Sequence, residues 1–340
     1  MRRPITLLVD DSCPLIHVYR FHWEEVHKRP PYTDDGRLML DIIPNEFLER
    51  FCDVVEAHGI AGKFSIVPAP AGRGDIVSGI EGADAAVTRE WLDTAKRRLS
   101  ARFDFCPEGI THNLTVNLRD GGYFDAGESI WSQKQDRTTL TPYLTKELEY
   151  LKAAGFDATG ITSPWVFGIQ VEDEYISAMV AAQKAVYSRN FSWYFLHMLH
   201  DKPESKPWIA FQEGDTTLVS IPSTVNDFWW QTINSPRADA EFVDAVADLI
   251  ITRDGRGGKV RTVLDAGGWP ILLTHWQSLF SNGLETGLAV LDEVGVRVNE
   301  TLAEEVEWKT CSEIARLAQN LGLFQKTVDT SRTGGVKRET

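Results

Sequence analysis

The sequence of 340 residues predicts an α/β fold with a mostly parallel sheet, open or closed into a barrel. Strand-like and helix-like segments alternate along almost the whole chain. Strands such as Thr6 to Val9 and WPILLTH are nearly continuous apolar runs, the pattern of strands covered on both faces. No linker rich in Pro, Gly or Ser divides the chain, so residues 1–328 read as a single (β/α) catalytic domain and 329–340 as a polar C-terminal tail.

The first strand, Thr6 to Val9, runs into two adjacent carboxylates, Asp10 and Asp11. Side chains alternate faces along a strand, so these two are expected to point different ways. A long polar loop leads to a helix from about Pro44 to Ala57, with Phe47, Phe51, Val54 and Val55 on one face, and then to the strand Lys63 to Val67. Thr88 reads as the cap of a helix passing through Trp91 and Leu92 towards Leu99. The segment RFDFCPEGITHNLTVNL is strand-like at both ends around Pro107.

Thr141-Pro142 suggests an N-cap with proline at the first helical position; Leu144, Leu148 and Leu151 line one face of the helix that follows, and Gly155 stops it. The strand ATGITSP, a helix from about Glu172 to Val186 and the strand SWYFLHM come next. WIAFQ and TTLVSI flank Glu213-Gly214-Asp215 as a hairpin, and Ser235-Pro236 opens a helix to about Ile251. WPILLTH is a buried strand followed by a helix over Leu284 to Val294. VEWKT is the last strand, and Thr310 with Glu313 forms a capping box for CSEIARLAQNLG.

Composition narrows the function. With 43% hydrophobic and 25% charged residues the chain is of the soluble globular class. A formal net charge of -14, with no basic run, disfavours nucleic acid as a partner. No apolar stretch approaches a bilayer span, and MRRPITLLVDD meets acidic residues too early for a signal peptide, so a cytoplasmic location with no membrane partner is the expectation. Cys13, Cys52, Cys106 and Cys311 are scattered without a CxxC pair and read as reduced and structural. GRGD and GRGG lack the flanking strand and Lys-Ser of a phosphate loop.

In folds of this kind the active site lies at the carboxyl ends of the strands. Asp10, Asp11, Glu108, His112, Ser163-Pro164-Trp165 and His275 all fall there. Glu108 and His112 are four apart, which puts them on one face of either a helix or an extended segment. With a third carboxylate they make a candidate divalent-metal site, against the bland reading of a solvated Glu and a hydrogen-bonded His. His17, His22 and His27 recur every five residues and read as a loop at the mouth of the site, with His22 a candidate to touch ligand. His197 and His200 end another strand and read as a packed pair or as further rim residues. Trp165, Trp229, Trp230 and Trp276 lie near strand ends, where aromatic faces suit sugar rings, although most tryptophans are core.

Taken together, VDD at a first strand end, the i, i+4 pair, Pro164-Trp165 and the late Leu273-Thr274-His275 resemble the polysaccharide deacetylase superfamily, the NodB homology domain. The resemblance runs from Asp10 to His275 through short motifs. It implies a distorted (β/α) barrel of glycoside hydrolase/deacetylase type. It also implies Asp10 as general base, Asp11, Glu108 and His112 as metal ligands, Trp165 in the substrate groove and His275 as general acid. His22 and Trp276 join Trp165 as candidate substrate-binding residues. Three positions depart from the family pattern: Glu108 stands where a first ligand His is usual, Thr162 where an Arg is usual, and Ser12 where a Gly is usual.

The implied function is a metal-dependent hydrolase of the carbohydrate esterase type, removing acetyl groups from a sugar. The implied cofactor is a divalent metal, zinc first, with Mn, Co, Ni and Fe as the other candidates. Two alternatives stay open: a glycoside hydrolase on the same scaffold, and a non-catalytic carbohydrate-binding protein with a degenerate site. A homo-oligomer is also open.

Overall fold

In the computed structural model, which describes residues 2–27 and 31–324, strand β1 (Arg3–Asp10) is the hub of the sheet. Its carboxyl half lies between β2 (Gly62–Ile66), with Leu8 opposite Lys63, and β7 (Ile271–His275), with Asp10 opposite His275. β2 pairs with β3 (Phe103–Pro107). On the far side, β4 (Gly160–Thr162), β5 (Phe191–Phe195) and β6 (Thr216–Ser220) pair in that order. All of these pairings are parallel.

The two groups of strands meet at two looser seams. Parallel bridges Phe105 to Ala158 and Glu108 to Thr162 join β3 to β4. At the other seam the chain beyond β6 bridges Val225 to Leu272, with Thr224 N and Val225 N donating to Ile271 O at 3.0 Å. The seven strands thus form a ring in chain order, joined by isolated bridges at two places, as a distorted parallel barrel requires. Val306–Trp308 pairs with the start of β1 outside this ring, and Trp208–Glu213 forms an antiparallel hairpin with β6.

Alternation along the strands divides the core. Leu7, Val9, Phe64, Ile66 and Phe105 belong to the large cluster under the helices, while Leu8, Cys106, Phe195, Ile271 and Leu273 belong to a separate cluster inside the ring. Trp276, fully buried, packs against Phe47 (ring centroids 4.5 Å apart), Phe51 and Phe64 (both 5.4 Å). Its burial answers the expectation that it binds substrate: it is core. The four cysteines are free and buried.

Several helix starts differ from the sequence reading, each because another residue supplies the cap. The helix Ala85–Leu99 is capped by Asp84, whose side chain accepts from Ala86 N, and Thr88 lies inside it. Arg137–Ala153 is capped by Asp136 and carries Pro142 internally, while Ala240–Ile250 is capped by Asp239, beyond Ser235-Pro236. After β7 a short helix, Trp276–Phe280, comes first, and the helix expected over Leu284 to Val294 spans Thr286–Thr301. Thr310 and Glu313 do form the capping box of Cys311–Asn320. Of the three histidines expected on a loop, His22 and His27 lie on the helix Val18–His27, and His17 is buried in the connection just ahead of it. The His27 side chain and the expected tail lie outside what the structure describes. No helix among the described residues is long and apolar enough to cross a membrane.

Candidate active site

A cavity of about 350 Å³ opens at the carboxyl ends of the strands, lined by Asp10 at the end of β1, Asp11 just beyond it, Glu108 and His112 after β3, and His275 from β7. Ser163 and Trp165 after β4 and Phe195 of β5 complete part of its wall. The strand ends converge because the ring is parallel throughout.

Asp10 and Asp11 part company at the strand end. Asp10 is the last residue of β1 and its carboxylate Oδ1 forms an ion pair with the ammonium of Lys63, a fully buried residue of β2. Asp11 takes a left-handed conformation, φ 62°, which turns it out of the strand. Its Oδ1 then lies 2.7 Å from His112 Nε2. Positive φ at a non-glycine residue costs energy, and such strain concentrates at functional sites. His112 (φ 73°) and Trp165 (φ 54°) share it.

Glu108 and His112 meet through neither a helix nor a strand. The connection is a loop with Gly109 at φ 64° and His112 left-handed, so the spacing of four brings the side chains together by a different route from that expected. Glu128, which no sequence signal marked, shapes this loop. Its carboxylate accepts from three successive backbone amides, Ile110 N (2.8 Å), Thr111 N (3.0 Å) and His112 N (2.9 Å), and from Tyr143 Oη (2.7 Å). A Cβ on Gly109 would stand 2.2 Å from Glu128 Oε2, so glycine is required there for space as well as for φ.

Glu108 Oε2 accepts from Asp11 N at 2.7 Å and from Ser65 Oγ, while Oε1 lies 3.8 Å from His112 Nε2. One donor atom from each of Asp11, Glu108 and His112 lies within 4.8 Å of the other two, and all three residues are buried. Asp11 Oδ1 has no partner of hydrogen-bond geometry despite its closeness to His112. Two carboxylates and one imidazole aimed at a common point are a donor set that could hold a divalent cation.

The charges respond to one another. Burial acts to raise the Asp11 carboxyl, but His112 beside it holds it below the usual carboxylate range. Burial likewise acts to lower His112, and the Asp11 charge overrides it and pushes the imidazole up to about 10. Glu108 is raised, by burial first and by the Asp11 charge second.

Across the cavity, His275 Nδ1 contacts Asp227 Oδ2 at 2.6 Å. Asp227 caps the short helix Phe228–Thr232 by accepting from Trp230 N. Burial acts to lower His275, but the Asp227 hydrogen bond and charge raise it. Trp230 stands edge-on to His275, with ring centroids 4.9 Å apart, and to Tyr19 at 5.0 Å. Trp230 therefore occupies the cavity wall where Trp276 was expected, and Trp229 is buried.

Trp165 is half exposed at the rim, 5.1 Å from the His22 ring. His22 Nδ1 reaches Asn113 Oδ1 (3.2 Å), which also meets His112 Nδ1 (3.3 Å). His200 lines the cavity and bonds Ser223 Oγ at 2.9 Å, whereas His197 pairs with Glu172. Thr162 is buried against Cys106 Sγ, so no cation reaches Asp10 from that position; Lys63 supplies one from β2 instead.

No family model and no curated protein matches the chain. Among solved structures it is similar to a 4-alpha-glucanotransferase from Thermococcus litoralis (11% identity, TM-score 0.44) over 93% of this chain and 40% of that one. It is also similar to a mutant of a CE4 family pseudoenzyme (13%, TM-score 0.39; 92% and 67% of the two chains). A third similar structure is a proposed glycoside hydrolase/deacetylase from Parabacteroides distasonis (9%, TM-score 0.46; 94% and 71%). The chain thus spans 40% of the length of the glucanotransferase.

Proposed function

We propose that the chain is a metal-dependent hydrolase that removes an acetyl group from a sugar. The observation that carries this reading is the convergence of Asp11, Glu108 and His112 within 4.8 Å, in one cavity with Asp10 and the His275–Asp227 pair. A divalent cation held by those three residues would polarise the acyl carbonyl and make water a competent nucleophile near neutral pH.

The chain's own residues divide the remaining work. Asp10, beside Asp11 but bound to Lys63, accepts the proton that the attacking water gives up. His275, its Nδ1 engaged by Asp227, keeps Nε2 for the leaving amine or alkoxide and delivers a proton to it. Trp165 and Trp230 offer apolar faces on which a sugar ring can lie. A glycoside hydrolase needs two carboxylates available to flank a glycosidic bond. Here Asp11 and Glu108 converge with His112 on one point instead of facing each other across the cavity, and Asp227 is bound to His275.

The test is turnover by chain loaded in turn with zinc, manganese, cobalt, nickel and iron, on N-acetylated and O-acetylated oligosaccharides. Acetate release that a chelator abolishes and added metal restores supports the proposal. Undiminished turnover by metal-free protein, or cleavage of glycosidic bonds without acetate release, overturns it.

A further inference from the structure

Among the described residues, Lys63 is a buried cation beside the proposed base that the reaction as proposed leaves without a role. It faces inward from β2, is fully shielded from solvent, and has Asp10 as the hydrogen-bond partner of its ammonium among the described residues. The Phe195 ring centroid lies 5.2 Å from Nζ, and the nearby Glu108 charge also acts on the ammonium. Removing an ammonium from water is costly, and a buried ion pair adds little stability over apolar residues of the same size. A lysine kept at such a position, one side chain below the cavity floor, points to a role in the cavity.

We infer that Lys63 is a positioning residue for Asp10. Gripping Oδ1 from inside the barrel, it fixes the plane of the carboxylate and leaves Oδ2 as the oxygen for the cavity that Asp10 lines. A carboxylate free to rotate would divide its time among Asp11, His275 and solvent; one clamped from below presents the same oxygen at every encounter. This role rests on the reading of Asp10 as the base.

The test compares Lys63→Met, Asp10→Asn and the double variant, each loaded with zinc. Lys63→Met is expected to keep its metal and its KM and to lose on the order of 10²-fold in kcat, as the loss of an oriented base does. The double variant is expected to be no slower than Asp10→Asn alone, because Lys63 acts only through Asp10. A Lys63→Met rate within about 3-fold of the original chain, or a further loss of about 10-fold in the double variant, overturns the inference. Should Lys63→Met fail to fold, Lys63→Gln keeps a donor while removing the charge, and a lowered kcat at unchanged KM is expected of it, with an unchanged kcat overturning the inference. Should the original chain turn over no acetylated sugar, the hydrolase reading fails alone. The crystal structure of the Lys63→Met or Lys63→Gln variant then decides: an Asp10 carboxylate that has swung from its position supports clamping, and one that has not moved contradicts it.

Discussion

His275 Nδ1 and Asp227 Oδ2 stand 2.6 Å apart although 48 positions separate them in the chain. The contact joins the end of β7 to the loop after β6 and fixes both the tilt and the tautomer of the imidazole. It also raises His275, so the protonated form persists above the ordinary histidine range.

A general acid must carry its proton, so activity should fall as pH rises through the raised His275 value. Asp227→Asn keeps the cap on Phe228–Thr232, since Asn caps as well as Asp, but removes the charge. The descending limb of the pH–rate profile is expected to move to lower pH, with a loss on the order of 10²-fold on the alkaline side. An unmoved limb would remove His275 from the acid role.

The two adjacent aspartates should fail differently. Asp10→Asn is expected to leave metal affinity nearly unchanged and to cost on the order of 10²-fold in rate. Asp11→Asn exchanges an anionic ligand for a neutral one, so weaker metal binding comes first and excess metal restores part of the activity. Titrations of metal and rate on both variants separate the roles, and identical behaviour would contradict the division.

Because Asp11 pushes His112 up to about 10, the imidazole is charged at neutral pH before metal enters. A ligating histidine is neutral, so metal loading at pH 7 should expel about one proton, and affinity should climb with pH up to that value. Calorimetry in buffers of different ionisation enthalpy counts the proton. A count near zero would exclude His112 as a ligand.

Glu128 holds three consecutive amides of the ligand loop and the Tyr143 hydroxyl. Glu128→Gln places an NH₂ where an acceptor is needed. It should lower stability by about 1–3 kcal/mol and metal affinity by about 10–100-fold, the usual scale for residues that orient ligands. Thermal unfolding with and without metal reads both effects. Unchanged affinity would mean that the loop holds His112 unaided.

Much of the arrangement was legible in the sequence because it sits on strands. Apolar runs ending in Asp10-Asp11 and in His275 mark strand ends directly, and a parallel sheet places strand ends on one rim. The loop partners were not legible. Glu108 and His112 were paired by a periodicity that the left-handed loop does not obey, and Glu128 reaches them from a short helix with no spacing to announce it. Asp227 looked like any polar residue of a long connection. Lys63 did carry a signal: a lone lysine in the buried strand GKFSI has to find a buried anion, and Asp10 is on the neighbouring strand. Trp276 misled because its place directly after β7 suggested the rim, whereas the helix that starts there turns the indole into the phenylalanines beneath.

The most direct measurement is an anomalous-scattering map from a crystal of the chain loaded with one equivalent of zinc or manganese, set beside the same map for His112→Ala. One peak should lie about 2.0–2.2 Å from oxygens of Asp11 and Glu108 and from His112 Nε2, and it should be gone in the variant while the barrel is unchanged. A stoichiometric ion bound away from these three residues, or one that survives in His112→Ala, would contradict the assignment of Asp11, Glu108 and His112 as the metal centre.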